Sequence, residues 1–387
     1  MRQKNIEESL TAIDLFAGGG GLTVGLKRSG FQVVSAVEIA PHAFATYKAN
    51  HVEVTAYRQD IRTVDGASLT RCSPTGIVDL LAGCPPCQGF SSLTAKYRRS
   101  DPRNSLVREM GRLIKEVKPL ALMMENVPGL AVKGKPLLDE LLGVLADEGY
   151  TPTHGTLQVA DFGIPQNRRR LVLLAGKGFR IELPKPTHSW NGANGLAQWV
   201  SIDGVLKGLP QPITLDKAKA RGGPTFVKWH VVRSLSEDNM RRIKRAKPGN
   251  AWWHGIPKRL RPDCHKSKDA GFSNVYGRMQ WGMVSPTITG GCTTFSKGRF
   301  GHPTQNRTIS VYEAALLQTF PPDYVFDTPF MEHACDIVGN ALPCDFAEVV
   351  GKCCAKAIIA FKQQLQQQRP AKNQAAIRQR IVKRKRP

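Results

Sequence analysis

Residues 11–38 read TAIDLFAGGGGLTVGLKRSGFQVVSAVE. The opening TAIDLF is an apolar run of the length of a buried strand. AGGGG is a tight loop, and LTVGLKRSG is a helix closing at Gly30, where a glycine tolerates the left-handed turn that ends helices. FQVVSAVE is a second strand ending on Glu38. Strand, loop, helix and strand in this order form a βαβ unit, which calls for a parallel sheet covered by helices.

Outward from this unit the alternation continues. PHAFATYKANH reads as a helix opened by Pro41. GIVDLLAG leads as a strand into GCPPCQGFSS, Gly83–Ser92. LVREMGRLIKEV is a helix, ALMMENV a strand, LLDELLGVLADEG a helix with apolar residues at helical spacing, and RRRLVLLAG a late strand. The predicted fold class is therefore α/β, with a mostly parallel sheet flanked on both faces by helices. Residues 1–190 form the main domain. Residues 191–300, rich in Gly, Pro, Trp and cations, form a smaller lobe. Residues 301–361 return to the main domain through helices at SVYEAALLQTF and DFAEVVGKCCAKAIIAFKQQLQQQ. Residues 362–387, basic and without an acidic residue, are expected to be disordered.

The chain has 387 residues and a formal net charge of +24. That excess of cations suits a polyanionic partner, because each Lys or Arg near a phosphate releases counterions. A basic protein without such a partner is the alternative. No apolar run is long enough to span a bilayer, and MRQKNIEESL lacks the apolar centre of a secretory signal. The expected location is cytoplasmic, with reduced thiols for the nine cysteines.

The glycine loop invites a nucleotide reading. The dinucleotide fingerprint asks for a third glycine, but counting from Gly18 and Gly20 that position is Thr23, and from Gly19 and Gly21 it is Val24. NAD is disfavoured. Glycines still allow a ligand to approach the backbone, and the helix start favours a carboxylate. Glu38, twenty residues on, suits ribose hydroxyls, and Asp60 faces the same crevice if RQDI closes a third strand. An adenosine bearing a carboxylate, such as S-adenosylmethionine, fits all three features. A plain tight turn and two surface carboxylates are the other reading of these residues taken alone.

The Cys-x-x-Cys of GCPPCQGFSS has three readings. Zinc needs a second ligand pair, and the chain offers none. A redox dithiol has no other support. A nucleophile at Cys87 fits a loop stiffened by Pro85 and Pro86 at the end of a strand, with Lys96, Arg98 and Arg99 favouring the thiolate. An inert thiol is the bland alternative.

Together, DLFAGGGG, GCPPCQGFS, ENV at Glu125–Val127, QNRRR at Gln166–Arg170, RTISVYEAALLQTFPPDY at Arg307–Tyr324 and VGNALPCDFA at Val338–Ala347 closely resemble the bacterial-type cytosine-C5 DNA methyltransferase family. The resemblance covers residues 11 to about 175 and 284 to about 352. It implies a methyl transfer from S-adenosylmethionine to C5 of a cytosine flipped out of duplex DNA. Cys87 would be the nucleophile at C6. Glu125 would engage N3 and the exocyclic amine. Arg168 and Arg170 would be the arginines of the eighth motif, with Arg170 on O2. Phe16 would stack on adenine, Gly18 and Gly20 would line the methionine end, Glu38 would hold the ribose and Asp60 the adenine amine, and Asn340 would complete the pocket. Cys84 stands where many relatives have glycine and is given no role.

By the same resemblance the 191–300 lobe is the target-recognition region. Arg241, Arg242, Lys258, Arg259 and Arg261 are expected on phosphates, while Trp252, Trp253 and Trp281 are expected in the lobe's core. No metal and no membrane is implied, a monomer is expected, and a companion restriction endonuclease is left open. An RNA cytosine methyltransferase and a catalytically silent DNA-binding relative are the rivals. The large lobe argues against the first, and the intact Cys87, Glu125 and Arg170 against the second.

Overall fold

The computed structural model describes residues 9–86, 105–250, 254–266 and 274–384. Cys87, the cations at 96, 98 and 99, Trp252 and Trp253 lie outside them.

Seven strands form the central sheet: β1 Leu10–Leu15, β2 Phe31–Val37, β3 Thr55–Tyr57, β4 Leu80–Gly83, β5 Ala121–Asn126, β6 Tyr150–Gln158 and β7 Arg169–Lys177. Their order is β3-β2-β1-β4-β5-β7-β6. The pairs from β3 through β5 are parallel, and β7 is antiparallel to both β5 and β6. The chain order runs outward from β1 on one side and from β4 on the other. A crevice therefore opens beyond the carboxyl ends of β1 and β4, where connections diverge.

The period-two pattern of the strands divides the core. Ala12, Leu80, Ala82, Met123, Val172 and Leu174 face one side, and Ile13, Leu15, Leu81, Leu122, Leu171 and Leu173 the other. The first face is covered by helix α1 (Gly21–Arg28). On the second face, α4 (Val107–Val117) supplies Val107, Met110, Leu113 and Ile114, and α5 (Lys135–Asp147) supplies Leu138, Leu141 and Leu145. Helix α2 spans Pro41–Asn50, with its proline in the first turn as expected, and α3 Gly66–Thr70.

In the smaller lobe, α6 (Glu237–Arg245) is the longest helix among the described residues. Trp229, fully buried, donates its indole N–H to the Phe326 carbonyl at 3.0 Å. Trp281 is partly buried against the same apolar cluster, which continues into α7 (Val311–Leu317) and α8 (Met331–Asn340). The return to the main domain is made by α9, Cys344–Arg384. Its Phe346, Val350, Cys354 and Ile358, four residues apart, are buried on the α1 side of the sheet. The approach is close: a Cβ on Gly25 of α1 would lie 2.4 Å from the Ala347 Cβ.

Two elements differ from expectation. Strand β6 was not anticipated: TPTHGTLQ is a half-exposed edge strand without an apolar run. Helix α8 was also missed, because its first residue follows Phe330, which provides no capping side chain. The disorder expected of residues 362–387 concerns a stretch whose side chains, from residue 369 on, lie outside the described residues.

Candidate active site at the carboxyl ends of the sheet

The glycine loop leaves β1 through three left-handed residues, Phe16 at φ 58°, Gly18 at 55° and Gly20 at 94°. The two glycines serve different ends. A Cβ on Gly18 would meet nothing within 4 Å, so this glycine borders open space. A Cβ on Gly20 would lie 2.4 Å from the His51 Nε2 and 2.6 Å from the Tyr324 hydroxyl oxygen, so this glycine serves packing. Phe16 is half-buried against the core beside it.

Glu38, one residue beyond β2, closes the loop. Its two oxygens accept from the Gly18 N–H at 2.8 Å and the Ala40 N–H at 2.7 Å. Burial raises its pKa, and the backbone N–H groups oppose the rise. Asp60 caps the short helical turn Ile61–Thr63, accepts from the Arg62 N–H at 3.0 Å and is ion-paired with the Arg62 guanidinium, which hold its pKa down.

Beneath the loop lies a carboxyl that sequence reading did not single out. Asp14, fully buried in β1, accepts from the Thr23 hydroxyl at 2.7 Å, and the Tyr47 hydroxyl lies 2.8 Å from that of Thr23. Burial lifts its pKa to about 7, with Glu38 adding to the rise.

The cytosine end is built on β4, β5 and β7. Glu125 and Arg170 are ion-paired, with side chains 10% and 13% exposed. They belong to adjacent antiparallel strands whose register pairs Glu125 with Val172. The next residue, Asn126, donates to the Pro85 carbonyl at 3.0 Å and accepts from the Val127 N–H at 2.7 Å. This fixes the backbone two residues before Cys87. Cys84 reaches the same carboxylate, and its thiol is pushed well up by burial first and by Glu125 next, which favours the neutral form.

Arg168 lies close enough to Arg170 and Glu125 to feel both charges. It is buried and donates to the carbonyls of Ile288 at 2.8 Å, Ala341 at 3.1 Å and Gly339 at 3.4 Å. Its neighbour Gln166 donates to the Gln318 side chain at 2.7 Å, and Gln318 donates to the Val338 carbonyl at 2.6 Å. Asn340, exposed at the end of α8, thus sits between two carbonyls held by Arg168. Neither glutamine was anticipated as part of this join, although Gln166 begins the QNRRR motif.

In the lobe, Arg241, Lys258 and Arg259 are exposed. Arg242 and Arg261, expected with them on phosphates, are less exposed. Arg242 donates to the Leu260 carbonyl at 2.6 Å and lies over the Tyr276 ring, and Arg261 is only 8% exposed. Among the described residues no group of three His, Cys, Asp or Glu side chains could hold a metal ion, and no helix is long and apolar enough to cross a membrane.

The chain is 36% identical over 348 residues to the Type II methylase M.HgiDII of Herpetosiphon aurantiacus, covering 88% of this chain and 93% of that one. It is 32% identical over 354 residues to the Type II methyltransferase M1.HphI of Haemophilus parahaemolyticus, covering 90% and 87%. In fold it resembles a DNA modification methyltransferase encoded within an Escherichia coli prophage, with TM-score 0.67 and 23% identity over 90% of this chain and 99% of that one. It also resembles the S. pombe Dnmt2 methyltransferase, with TM-score 0.61 and 18% identity over 91% and 99%. The family model for C-5 cytosine-specific DNA methylases matches residues 10–356, and the chain belongs to that family.

Proposed function

We propose that this DNA cytosine-5 methyltransferase is a Type II modification enzyme that attacks cytosine through Cys87 and takes its methyl group from S-adenosylmethionine. The observation that carries the reading is the buried Glu125–Arg170 pair beside the Pro85 carbonyl held by Asn126. Cys87 follows Pro86 directly in the chain, so the nucleophile leaves this braced backbone.

The cofactor residues fit the group. The space beside Gly18 admits a ligand where a side chain would otherwise stand. Glu38, with one backbone N–H on each oxygen, keeps acceptor capacity for ribose hydroxyls. Phe16 would stack on adenine, Asp60 would accept from its amine, and Asn340 would close the pocket, with Arg168 acting through the backbone around it. Gly20 contributes by shaping the loop. When bound, S-adenosylmethionine supplies an electrophilic methyl group for C5.

Cytosine C5 is a weak nucleophile, and addition of the Cys87 thiolate to C6 makes it enamine-like. Glu125 holds a proton at N3, and Arg170 faces the charge that grows on O2. After methylation a base removes the C5 proton and the thiolate departs from C6. The reacting base must leave the duplex, losing a few kcal/mol of stacking and pairing. Arg241, Lys258 and Arg259, exposed on the lobe, would hold backbone phosphates against that loss.

The test is single-base mapping of 5-methylcytosine in a methylation-free bacterial host expressing wild type or Cys87→Ser. Methylation at a recurring short site, absent in the variant, is the expected result. Retained methylation in the variant would overturn the nucleophile. Methyl transfer to RNA with no DNA signal would overturn the substrate.

A further inference from the structure

Four consecutive glycines, Gly18–Gly21, leave the loop after β1 without side chains to set its shape. Backbone bonds hold part of it. The Ala17 N–H donates to the Val37 carbonyl at 3.0 Å, and the Gly20 N–H to the Ala17 carbonyl at 2.9 Å. The Gly19 carbonyl is held from much farther along the chain. It accepts from the hydroxyl of Tyr324, a buried residue between α7 and α8. The peptide unit joining Gly19 to Gly20 is therefore fixed at its carbonyl and at its N–H.

Behind Tyr324 the contacts continue to the surface. The Nε2 of His51, just past α2, lies 3.1 Å from the Tyr324 hydroxyl, and the His51 Nδ1 lies 2.8 Å from the Lys27 Nζ. Lys27, in the last turn of α1, is ion-paired with Glu53. The chemistry of the end group orders the series. An ammonium only donates, so Nδ1 accepts from Lys27. The neutral ring then carries its proton on Nε2 and donates to the Tyr324 hydroxyl. That hydroxyl, accepting from His51, turns its own proton to the Gly19 carbonyl. Burial first and the Lys27 charge next lower the His51 pKa to about 4, which keeps the ring neutral at neutral pH.

We propose that Lys27, His51 and Tyr324 are positioning residues for S-adenosylmethionine: their ordered hydrogen bonds hold the Gly19 carbonyl against the core, and thereby hold the open side of Gly18 toward the ligand. They act from behind the loop, through its backbone. They set affinity for the cofactor rather than the chemistry at cytosine. The inference rests on the reading of the space beside Gly18 as the cofactor's.

The test pairs calorimetric titration with S-adenosylmethionine and steady-state kinetics. Tyr324→Phe keeps the ring that packs against Phe320 and Phe326 and removes the hydroxyl. Its Kd and KM for S-adenosylmethionine should rise about tenfold, while kcat and the KM for DNA stay within about twofold of wild type. His51→Leu should weaken cofactor binding to a similar degree. His51→Gln, which returns a side-chain N–H toward the Tyr324 hydroxyl, should recover affinity to within about threefold of wild type. Nitrogen NMR of the His51 ring should show the Nε2–H tautomer in the wild type and an added Nδ1–H form in Lys27→Met. Should Tyr324→Phe fail to fold, the two His51 variants decide alone. Unchanged cofactor affinity in Tyr324→Phe would overturn the proposal. So would equal losses of cofactor affinity, DNA affinity and kcat, or equal losses in His51→Leu and His51→Gln, which a packing role alone predicts. A wild-type ring protonated on Nδ1 would overturn the order of donors. A wild type that binds no S-adenosylmethionine would instead overturn the cofactor reading itself.

Discussion

Glu125 and Arg170 are ion-paired across adjacent strands, β5 and the antiparallel β7, with both side chains nearly buried. Each reaches the mouth of the crevice from a strand end, so the pair is preformed before DNA arrives. Removing one member leaves the other buried without its counter-charge, which costs more than the pair itself contributes.

Arg170→Met should therefore destabilise the protein by about 3 kcal/mol and slow methylation by about 100-fold. Urea unfolding and single-turnover methyl transfer at saturating DNA measure the two effects. Wild-type turnover in the folded variant would remove Arg170 from the reaction.

Asn126→Ala deletes the donor that holds the Pro85 carbonyl. A lost hydrogen bond of this kind costs about 1 kcal/mol of stability. The loss in rate should be larger, about tenfold, because misplacing a nucleophile by a fraction of an ångström weakens its alignment. Cofactor affinity should be unchanged. A variant as fast as wild type would show that Pro85 and Pro86 brace the loop unaided.

The βαβ unit and the strands β4, β5 and β7 were legible because they are short apolar runs bounded by glycines or charged residues, and burial of both sheet faces demands such runs. Edge strand β6 was not, since among its residues only Tyr150 is buried. At the site, Glu38 was legible from its distance behind the glycines. Whether a cation faces inward was not: Arg242 and Arg241 are neighbours in sequence, yet one binds the Leu260 carbonyl and the other is exposed. Arg168 and Arg170 both face inward, yet one holds backbone carbonyls and the other pairs with Glu125, a division that their spacing of two does not reveal.

The two glycines of the loop should separate cofactor binding from folding. Gly20→Ala forces a methyl group onto His51 and Tyr324 at a φ of 94°. Strain and overpacking together should cost about 3 kcal/mol. Gly18→Ala meets no atom and should cost about 1 kcal/mol for its left-handed backbone, while weakening S-adenosylmethionine binding by about tenfold or more as the methyl group enters the ligand's space. Thermal unfolding and calorimetric titration with the cofactor decide between them. Equal losses of stability would contradict the division.

Asp14 makes stability depend on pH in a direction opposite to that of a salt-bridged carboxylate. Its folded pKa is raised from the ordinary carboxylate range to about 7, mainly by burial. The unfolded chain therefore releases this proton first as pH rises. The favourable contribution of the neutral carboxyl is fully present below about pH 4 and declines up to about pH 7, above which both states are ionised and the loss is constant. At 1.36 kcal/mol per unit, the span is about 4 kcal/mol. Asp14→Asn keeps an acceptor for Thr23 and removes the titration. Relative to wild type, the variant should gain about 2 to 4 kcal/mol between pH 4.5 and pH 7.5, measured by urea unfolding at several pH values. Comparing the two proteins at each pH cancels groups that titrate alike in both, including His51, whose pKa burial lowers to about 4. A difference that stays constant across this window would show that Asp14 ionises as freely in the folded protein as in the unfolded chain. The Thr23 and Tyr47 hydroxyls would then be sufficient to carry its charge.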